Sequence, residues 1–222
     1  MIRLSPLFTK HNRDAIRLDK KRHTRRVAKP QPAPEFLARG VVAVVPQWPA
    51  QDGVRWFMAD GLSELRRSPH GKPGDVWGMK EPLRKSGSGM VVYGDDGTPV
   101  WVDGAESTTW QWKRDILTSM FMPKWAARTF RTITDVRIER VQDISEADVW
   151  AEGLDQEDYE EWREHVENVA PSRSMFQQPR DLFFDVWDQI NGKRPGCSVA
   201  DNPWNFVYVF RPATPAEVEA AQ

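Results

Sequence analysis

Lys21 and Thr24 are the residues of this 222-residue sequence whose types and spacing best suit chemistry. A K-x-x-T spacing places both side chains on one side of a helical turn or a tight loop. A threonine hydroxyl becomes a nucleophile when a base takes its proton. A lysine serves as that base if its pKa falls toward neutrality, and the flanking lysine and arginines lower it because like charges disfavour another cation. On these residues alone, a solvated basic loop is the simpler interpretation.

The same pair lies in a basic segment, residues 17–29, which holds seven Lys or Arg residues and one acid, Asp19. The formal net charge of the chain is -1, so a nucleic-acid site must be a local patch and not a property of the whole surface. Arg22, Arg25 and Arg26 are the candidates for phosphate contacts. A patch that neutralises ~5 phosphates would bind with a strong dependence on salt. The alternative is an ordinary solvated surface.

A second segment, residues 121–128, mixes aromatic and cationic side chains. Trp125 would stack on a base while Lys124 and Arg128 meet phosphate. Equally, Trp125 would fill one end of a barrel as a core residue. We expect a mixed arrangement, with Arg128 near the binding cleft and Trp125 mostly buried.

Other kinds of site have no support in the sequence. The histidines are scattered and the single cysteine, Cys197, has no partner motif, so we expect neither a metal site nor a disulfide. The glycines at 87 and 89 form no phosphate-binding or dinucleotide fingerprint, and no nucleophile elbow is present. We therefore expect no cofactor. The longest apolar run, 41–46, is too short to cross a bilayer, which predicts that membranes are not partners.

The elements that must position these residues are short strands with a few helices between them, which indicates the α+β class. No linker separates two hydrophobic cores, so a single domain is expected. The patterns predict strands at 40–45, 54–58, 76–80, 90–93, 99–102, 129–141 (with a bulge near Asp135) and 205–211. They predict helices at 12–22, from Ser145 to a stop near Gly153, at 155–169 and at 181–190, and a loose or marginally helical tail from Pro212.

A set of segments also carries a family resemblance through its order and spacing over residues 17–211. These segments are Lys21–Arg26, Pro73–Trp77 leading to Lys80-Glu81, Phe121–Arg128, Thr134–Ser145, Ala151–Gly153, Trp187–Gly192 and Asn202–Trp204. Together they resemble the ASCH-domain proteins of bacteria and their prophages, which belong to the PUA-like superfamily. The Met-Pro-Lys-Trp-Ala and Trp-Asp-x-Ile-Asn-Gly pieces are typical of the longer, phage-associated branch.

The resemblance implies a fold and a set of site residues. The fold is a small mixed PUA-like β-barrel with helical insertions, in one ASCH-like domain over 1–222. Its core would cover about 17–211, with a hairpin insertion at 84–112, a helical insertion at 145–190 and a loose tail at 212–222. Some small ASCH members hydrolyse N4-acylated cytidines with a Lys, a Thr three residues later and a distant Glu. The matching positions are Lys21, Thr24 and Glu81, and Lys80 joins the ligand-binding residues.

Three functions remain open at this point. The leading hypothesis is a binding module that recognises RNA or a modified nucleoside in a basic cleft, without turnover; Pro82-Leu83 favours it, because the long branch more often has Thr and an aromatic after the glutamate. The alternative, favoured by Lys21 and Glu81, is an amidohydrolase acting on N4-acylated cytidine, with Glu81 donating a proton to the leaving amine. A further alternative is a phage-associated interaction module that uses the acidic helix 155–169. We expect a monomer in the cytoplasm of a bacterial host, encoded by a phage or prophage.

Overall fold

The structure is a computed structural model that describes residues 2–29, 31, 41–46, 53–58, 63–102, 105–106, 109–169 and 178–222. The strands are β1 (Ile2–Leu4), β2 (His23–Val27), β3 (Val41–Pro46), β4 (Gly53–Met58), β5 (Ser63–Arg67), β6 (Val76–Gly78), β7 (Leu83–Lys85), β8 (Val91–Tyr93), β9 (Trp101–Val102), β10 (Ala105–Glu106), β11 (Ile116–Leu117), β12 (Phe130–Arg140) and β13 (Trp204–Pro212). The α-helices are α1 (Lys10–Arg17), α2 (Glu146–Ala151), α3 (Gln156–Val169), α4 (Pro179–Asn191) and α5 (Pro215–Ala221). Single-turn 3₁₀ segments lie at Ser119–Phe121, Lys124–Ala126 and Val141–Asp143.

A five-stranded sheet in the order β1-β6-β12-β13-β2 forms the centre of the molecule. The β1–β6 pair is parallel and the other pairs are antiparallel. The long β12–β13 ladder changes register between Ile133 and Asp135, which confirms the bulge that the broken alternation of apolar residues predicts. The sheet combines strands from both halves of the chain, and it carries β2, with Thr24 and Arg25, at one edge.

The described strands form separate sheets and do not close into a barrel. β3, β4 and β5 form one sheet, β11, β7 and β8 a second, and β9 with β10 a third. The α+β class is confirmed. The barrel that the resemblance implies would place the strands at 40–45 and 205–211 in one sheet system, and in the structure they lie in different sheets. Both edges of β13 are occupied, by β12 and by β2, so β3 pairs with β4 instead.

Helix boundaries follow the capping residues in the sequence. Thr9 caps α1, and Ser145 accepts a hydrogen bond from the Asp148 N–H at the start of α2, as predicted. The last residues, expected as a loose or marginally helical tail, form α5 with a capping box between Thr214 and Glu217. Among the described residues, no helix is long and apolar enough to cross a membrane.

Three buried clusters hold the elements together. The first joins α1 to the central sheet through residues such as Ile16, Trp77 and Tyr208. The second lies under the β7–β8 hairpin. The third, which includes Phe183 and Trp187 of α4, packs that helix against α2 and the end of β12. This packing brings α2, α3 and α4 around the edge strand β2, where the main cavity lies.

Candidate functional site

A cavity of about 840 Å³ lies between the edge strand β2 and the helices α3 and α4. Lys21, Thr24, Arg25 and Arg26 come to it from β2 and the turn before it. The C-terminal end of α2 adds Glu152. Its volume falls in the range of roughly 300–1,000 Å³ that small-molecule sites occupy. The cavity therefore brings together part of the basic segment and one buried acid, Glu152, in a space large enough for a nucleotide.

Lys21, Arg25 and Glu152, which we call the buried ionic cluster, form one wall of the cavity. The Lys21 Nζ donates to Glu152 Oε2 at 2.8 Å and also to the Glu152 main-chain carbonyl. Arg25 Nη1 donates to Glu152 Oε1 at 3.0 Å. Because all three side chains are nearly inaccessible to solvent, the two cations balance a carboxylate that water does not solvate.

The electrostatics of this cluster work on both Lys21 and Glu152. Burial lowers the pKa of Lys21, and the charge of Glu152 opposes that shift. For Glu152, burial disfavours the charged form, but the charges of Lys21 and Arg25 outweigh it and lower the pKa below its ordinary value. Glu152 is thus an acceptor at neutral pH, and Lys21 loses its proton more easily than an exposed lysine does.

Thr24 is one of the polar residues that line the cavity. Its side chain is buried, and its hydroxyl makes no hydrogen bond within the described part of the chain. A hydroxyl that faces a cavity without a protein partner is free to bind a ligand. Thr24 and Lys21 line the same cavity, but Thr24 lies in the strand β2 and not in the helical turn or tight loop on which the spacing argument rests.

Gly153 allows the close approach between the end of α2 and Lys21. The glycine has φ +92°, and a Cβ there would lie 2.8 Å from the Lys21 Cβ. A larger residue would therefore push Lys21 away from Glu152. The sequence predicts that the helix ends at Gly153, but it does not show that the same glycine also makes room for Lys21, which is distant in the sequence.

The rest of the cavity wall is largely aromatic and apolar. Phe8 lies beneath Arg26, whose guanidinium carbon is 4.9 Å from the ring centroid. Trp162 of α3 and Phe183 of α4 face the space from the helical side, and Trp162 Nε1 donates to Asp185 Oδ2 at 2.9 Å. A flat aromatic ligand would find apolar faces on one side and the buried ionic cluster on the other.

The expected phosphate-binding arginines divide into three environments. Arg25 is held by Glu139, Asp148 and Glu152, and its side chain is 1% exposed, so its charge is already balanced. Arg22 is exposed, pairs with Asp19 at 2.8 Å and does not line the cavity. Arg26 lines the cavity and donates to the Leu7 carbonyl at 2.8 Å. Of the three, Arg26 is the one best placed to meet a ligand in the cavity.

Glu81 lies apart from Lys21 and Thr24. It is 1% exposed, and its carboxylate pairs with Arg17 and with Arg128, whose Nη2 is 2.7 Å from Oε2. Arg128 in turn pairs with Asp96, also at 2.7 Å. Among the described residues, Glu81 does not line the cavity. The carboxylate that contacts Lys21 is Glu152.

The remaining predicted site residues lie outside the cavity. Lys80 is half-buried, and Arg128 lies at a separate, more open cavity of about 550 Å³. Lys124 is exposed, and Trp125 is 40% exposed, so the expectation of a mostly buried Trp125 is wrong. Trp125 stacks on Trp112 at the surface, with ring centroids 6.4 Å apart, and does not fill a core.

Sequence reasoning missed Glu152 and His70 as cavity residues. Glu152 belongs to a segment that carries the family resemblance, but no local pattern connects it to Lys21, 131 positions away.

Within the described residues, no group of His, Cys, Asp and Glu side chains could hold a metal ion. A comparison of the chain with protein-family models, with curated proteins and with solved structures found no match.

Proposed function

We propose that the protein is an ASCH-type binding module that holds a nucleotide or modified nucleoside of RNA in the main cavity. The observation that carries this proposal is the wall formed by the buried ionic cluster and the free Thr24 hydroxyl, opposite an aromatic face. A nucleobase has polar edges and apolar faces, and such a wall matches both. The fold assignment to the ASCH type rests on the sequence resemblance.

Charge in the cavity supports a ligand that carries phosphate. Five Lys or Arg residues line the cavity, and Arg25 among them is balanced by carboxylates. Arg26 and Lys29 make no ion pair with a carboxylate within the described residues, so they provide positive charge for a phosphate. Lys29 is exposed at the margin of the cavity. In this arrangement the base lies against Thr24, and the phosphate lies toward Arg26 and Lys29.

Isothermal titration with cytidine, cytidine 5′-monophosphate and N4-acetylcytidine tests the proposal. The variant Lys29→Gln removes one exposed cation from the margin without touching the buried ionic cluster. It should weaken binding of the monophosphate and leave cytidine unchanged, while Lys193→Gln, an exposed lysine outside the cavity lining, should change neither. If none of the three compounds binds at millimolar concentration, the proposal fails.

Hydrolysis of N4-acylated cytidine is the second candidate, favoured by the burial of Lys21 in the same cavity as Thr24. In this reaction the Thr24 oxygen attacks the acyl carbon and Lys21 takes the hydroxyl proton. The exocyclic amine leaves with the proton that Lys21 took from Thr24, and water then releases the carboxylic acid from the threonine ester. Glu152, already bonded to Lys21, would be the carboxylate beside the lysine in place of Glu81.

Incubation with N4-acetylcytidine distinguishes the two candidates. A binding module returns the compound unchanged, whereas the hydrolase releases cytidine and acetate in equal amounts. Chromatography of the incubated compound, with a heat-denatured sample as control, gives the answer directly. Release of cytidine at the rate of the denatured sample would exclude the hydrolase.

A further inference from the structure

A second surface, away from the cavity, groups four tryptophans. We call Trp101, Trp110, Trp112 and Trp125 the tryptophan surface. Trp110 and Trp112 meet edge to face at 4.8 Å, and Trp112 stacks on Trp125 at 6.4 Å with 22° between the ring planes. β9, which carries Trp101, packs against the 3₁₀ turn Lys124–Ala126. Trp110, Trp112 and Trp125 therefore form a row of contacting rings, and β9 brings Trp101 near the turn that carries Trp125.

The tryptophan surface is exposed although aromatic side chains favour burial. Trp101 is 58% exposed and Trp125 is 40% exposed, while Trp110 and Trp112 are half-buried on the second core cluster. Phe121 is also exposed nearby in the chain. The inner rings anchor the outer ones, so Trp125 keeps a fixed ring plane at the surface. An aromatic face held in this way is suited to stacking.

Cationic residues are the neighbours of these tryptophans in the sequence. Lys113 and Arg114 directly follow Trp112, and Lys124 directly precedes Trp125; all three are exposed. Within the described part of the chain, none of the three side chains pairs with a carboxylate, and over residues 109–125 the sequence contains these three cations and one acid, Asp115. This segment is therefore positive as well as aromatic.

We propose that the tryptophan surface binds single-stranded RNA, with bases stacked on Trp125 and its neighbours and phosphates on Lys113, Arg114 and Lys124. The proposal deepens the proposed function and rests on it for the nucleotide in the cavity; the tryptophan surface adds contacts to the rest of the strand. The cavity lining contains no residue between 71 and 151, so the two surfaces are distinct.

Charge and stacking together select this occupant. Protein–protein interfaces are depleted in lysine, whereas here two lysines border the exposed rings. Base pairs in a duplex hide their faces inside the stack, so exposed aromatic rings can stack on the bases of single strands and not on those of duplexes. Interleaved aromatic and cationic side chains are the combination with which single-strand-binding proteins hold bases and phosphates.

Fluorescence anisotropy with a labelled oligouridine of roughly 12 nucleotides, a length that single-strand sites cover, tests the proposal. Trp125→Ala should weaken binding about ten-fold, and Trp125→Phe should keep most of the affinity, because a stacked ring is worth about 1–3 kcal/mol per base. The double variant Lys113→Glu/Lys124→Glu should flatten the dependence of affinity on salt by roughly 0.7 for each phosphate that the variant no longer neutralises. Lys193→Glu, an exposed lysine elsewhere, is the matched control and should bind as the unaltered protein does.

Several outcomes would overturn the inference, provided that circular dichroism shows each variant folded. They are unchanged binding by Trp125→Ala, equal effects of Lys193→Glu and of the double variant Lys113→Glu/Lys124→Glu, or equal affinity for duplex RNA. A shift from dimer to monomer in Trp125→Ala, with RNA binding unaffected, would assign the surface to self-association instead. Titration of the same variants with cytidine 5′-monophosphate separates the two proposals. Trp125→Ala should bind the monophosphate as the unaltered protein does. If no protein binds the monophosphate but oligouridine still binds, the cavity proposal alone is wrong.

Discussion

At the scale of single residues, burial determines what each charged group can do. Arg25 and Glu81 have charged side chains suited to a site, but each is nearly inaccessible and already paired with opposite charges. Such groups stabilise positions and do not bind exposed ligands. Thr24 and Arg26 remain able to contact a molecule in the cavity. The sequence predicts the right segment for the site, but it cannot rank the residues within that segment, because burial depends on packing from distant parts of the chain.

The Thr24 hydroxyl should contribute directly to ligand binding. Thr24→Val keeps the shape and removes the hydroxyl, so affinity for N4-acetylcytidine should fall by roughly 0.5–1.5 kcal/mol, the typical worth of one hydrogen bond. If the protein turns this compound over, release of cytidine should fall by at least about 100-fold, because the attacking oxygen is gone. Calorimetry and chromatography measure the two effects. Equal affinity in the variant would mean that Thr24 does not touch the ligand.

His70 should make the folded state sensitive to acid. Burial, followed by the charges of Arg26 and Lys80, lowers the pKa of His70 from 6.5 to about 4. Below pH 6.5 the unfolded chain takes up a proton that the folded chain does not, so this group favours unfolding increasingly as the pH falls from 6.5 to about 4. Above that range it has no effect.

NMR titration of the His70 ring measures this pKa directly. His70→Gln should lose less stability over the same pH range, because the variant lacks the histidine that favours unfolding there. Acids such as Glu152 contribute equally to both proteins, so they do not affect the difference. A ring resonance that titrates at the ordinary histidine value would contradict the prediction.

At the scale of elements, the residues that start and end a helix also position the site. The sequence correctly predicts the start of α2 at Ser145, its end near Gly153 and the bulge in β12. These features depend on residues close in sequence, so local patterns reveal them. The contact of Gly153 with Lys21 spans most of the chain, and no local pattern contains it.

Gly153→Ala should therefore cost more than the strain of its backbone alone. Gly74 provides a matched control, because it has φ +89° and open space around its Cβ position, whereas a Cβ at Gly153 meets Lys21 at 2.8 Å. Both variants bear the strain of a left-handed alanine, about 1–2 kcal/mol. We expect Gly153→Ala to lose at least about 1 kcal/mol more in urea denaturation, as Lys21 is displaced. Equal losses of unfolding free energy in the two variants would show that Lys21 moves aside without destabilising the fold.

Trp187 should anchor α4 and with it one side of the cavity. Its ring packs on Phe183, and its Nε1 donates to the Cys197 carbonyl at 2.8 Å. Trp187→Ala should destabilise the fold by ~3–5 kcal/mol, because it leaves a large void. Ile190, 59% exposed on the same helix, is the control, and its replacement by Ala should stay within about 0.5 kcal/mol. Denaturation midpoints that match for the two variants would indicate that α4 packs loosely.

At the scale of the whole molecule, the composition and patterns predict the α+β class but not the arrangement of the sheets. Strand pairing depends on which edges are free, and β13 offers none to β3 because β12 and β2 take both. A resemblance that implies a barrel cannot reveal that competition. Local periodicity identifies strands individually, and their order in a sheet is a property of long-range contacts.

The described elements should unfold as one cooperative unit. β12 and β13 pair along almost their whole length, and their sheet also contains β1, β2 and β6 from the first half of the chain. The third core cluster ties α2 and α4 to the same framework through Val27 of β2 and Val141. Loss of either long strand would therefore expose two of the three clusters at once, which is the condition for an all-or-none transition. Urea denaturation followed by far-ultraviolet circular dichroism and by tryptophan fluorescence should give coincident curves, since the tryptophans of the three clusters report on all parts of the core. Two separated transitions would mean that the second cluster, under the β7–β8 hairpin and the tryptophan surface, folds as an independent unit.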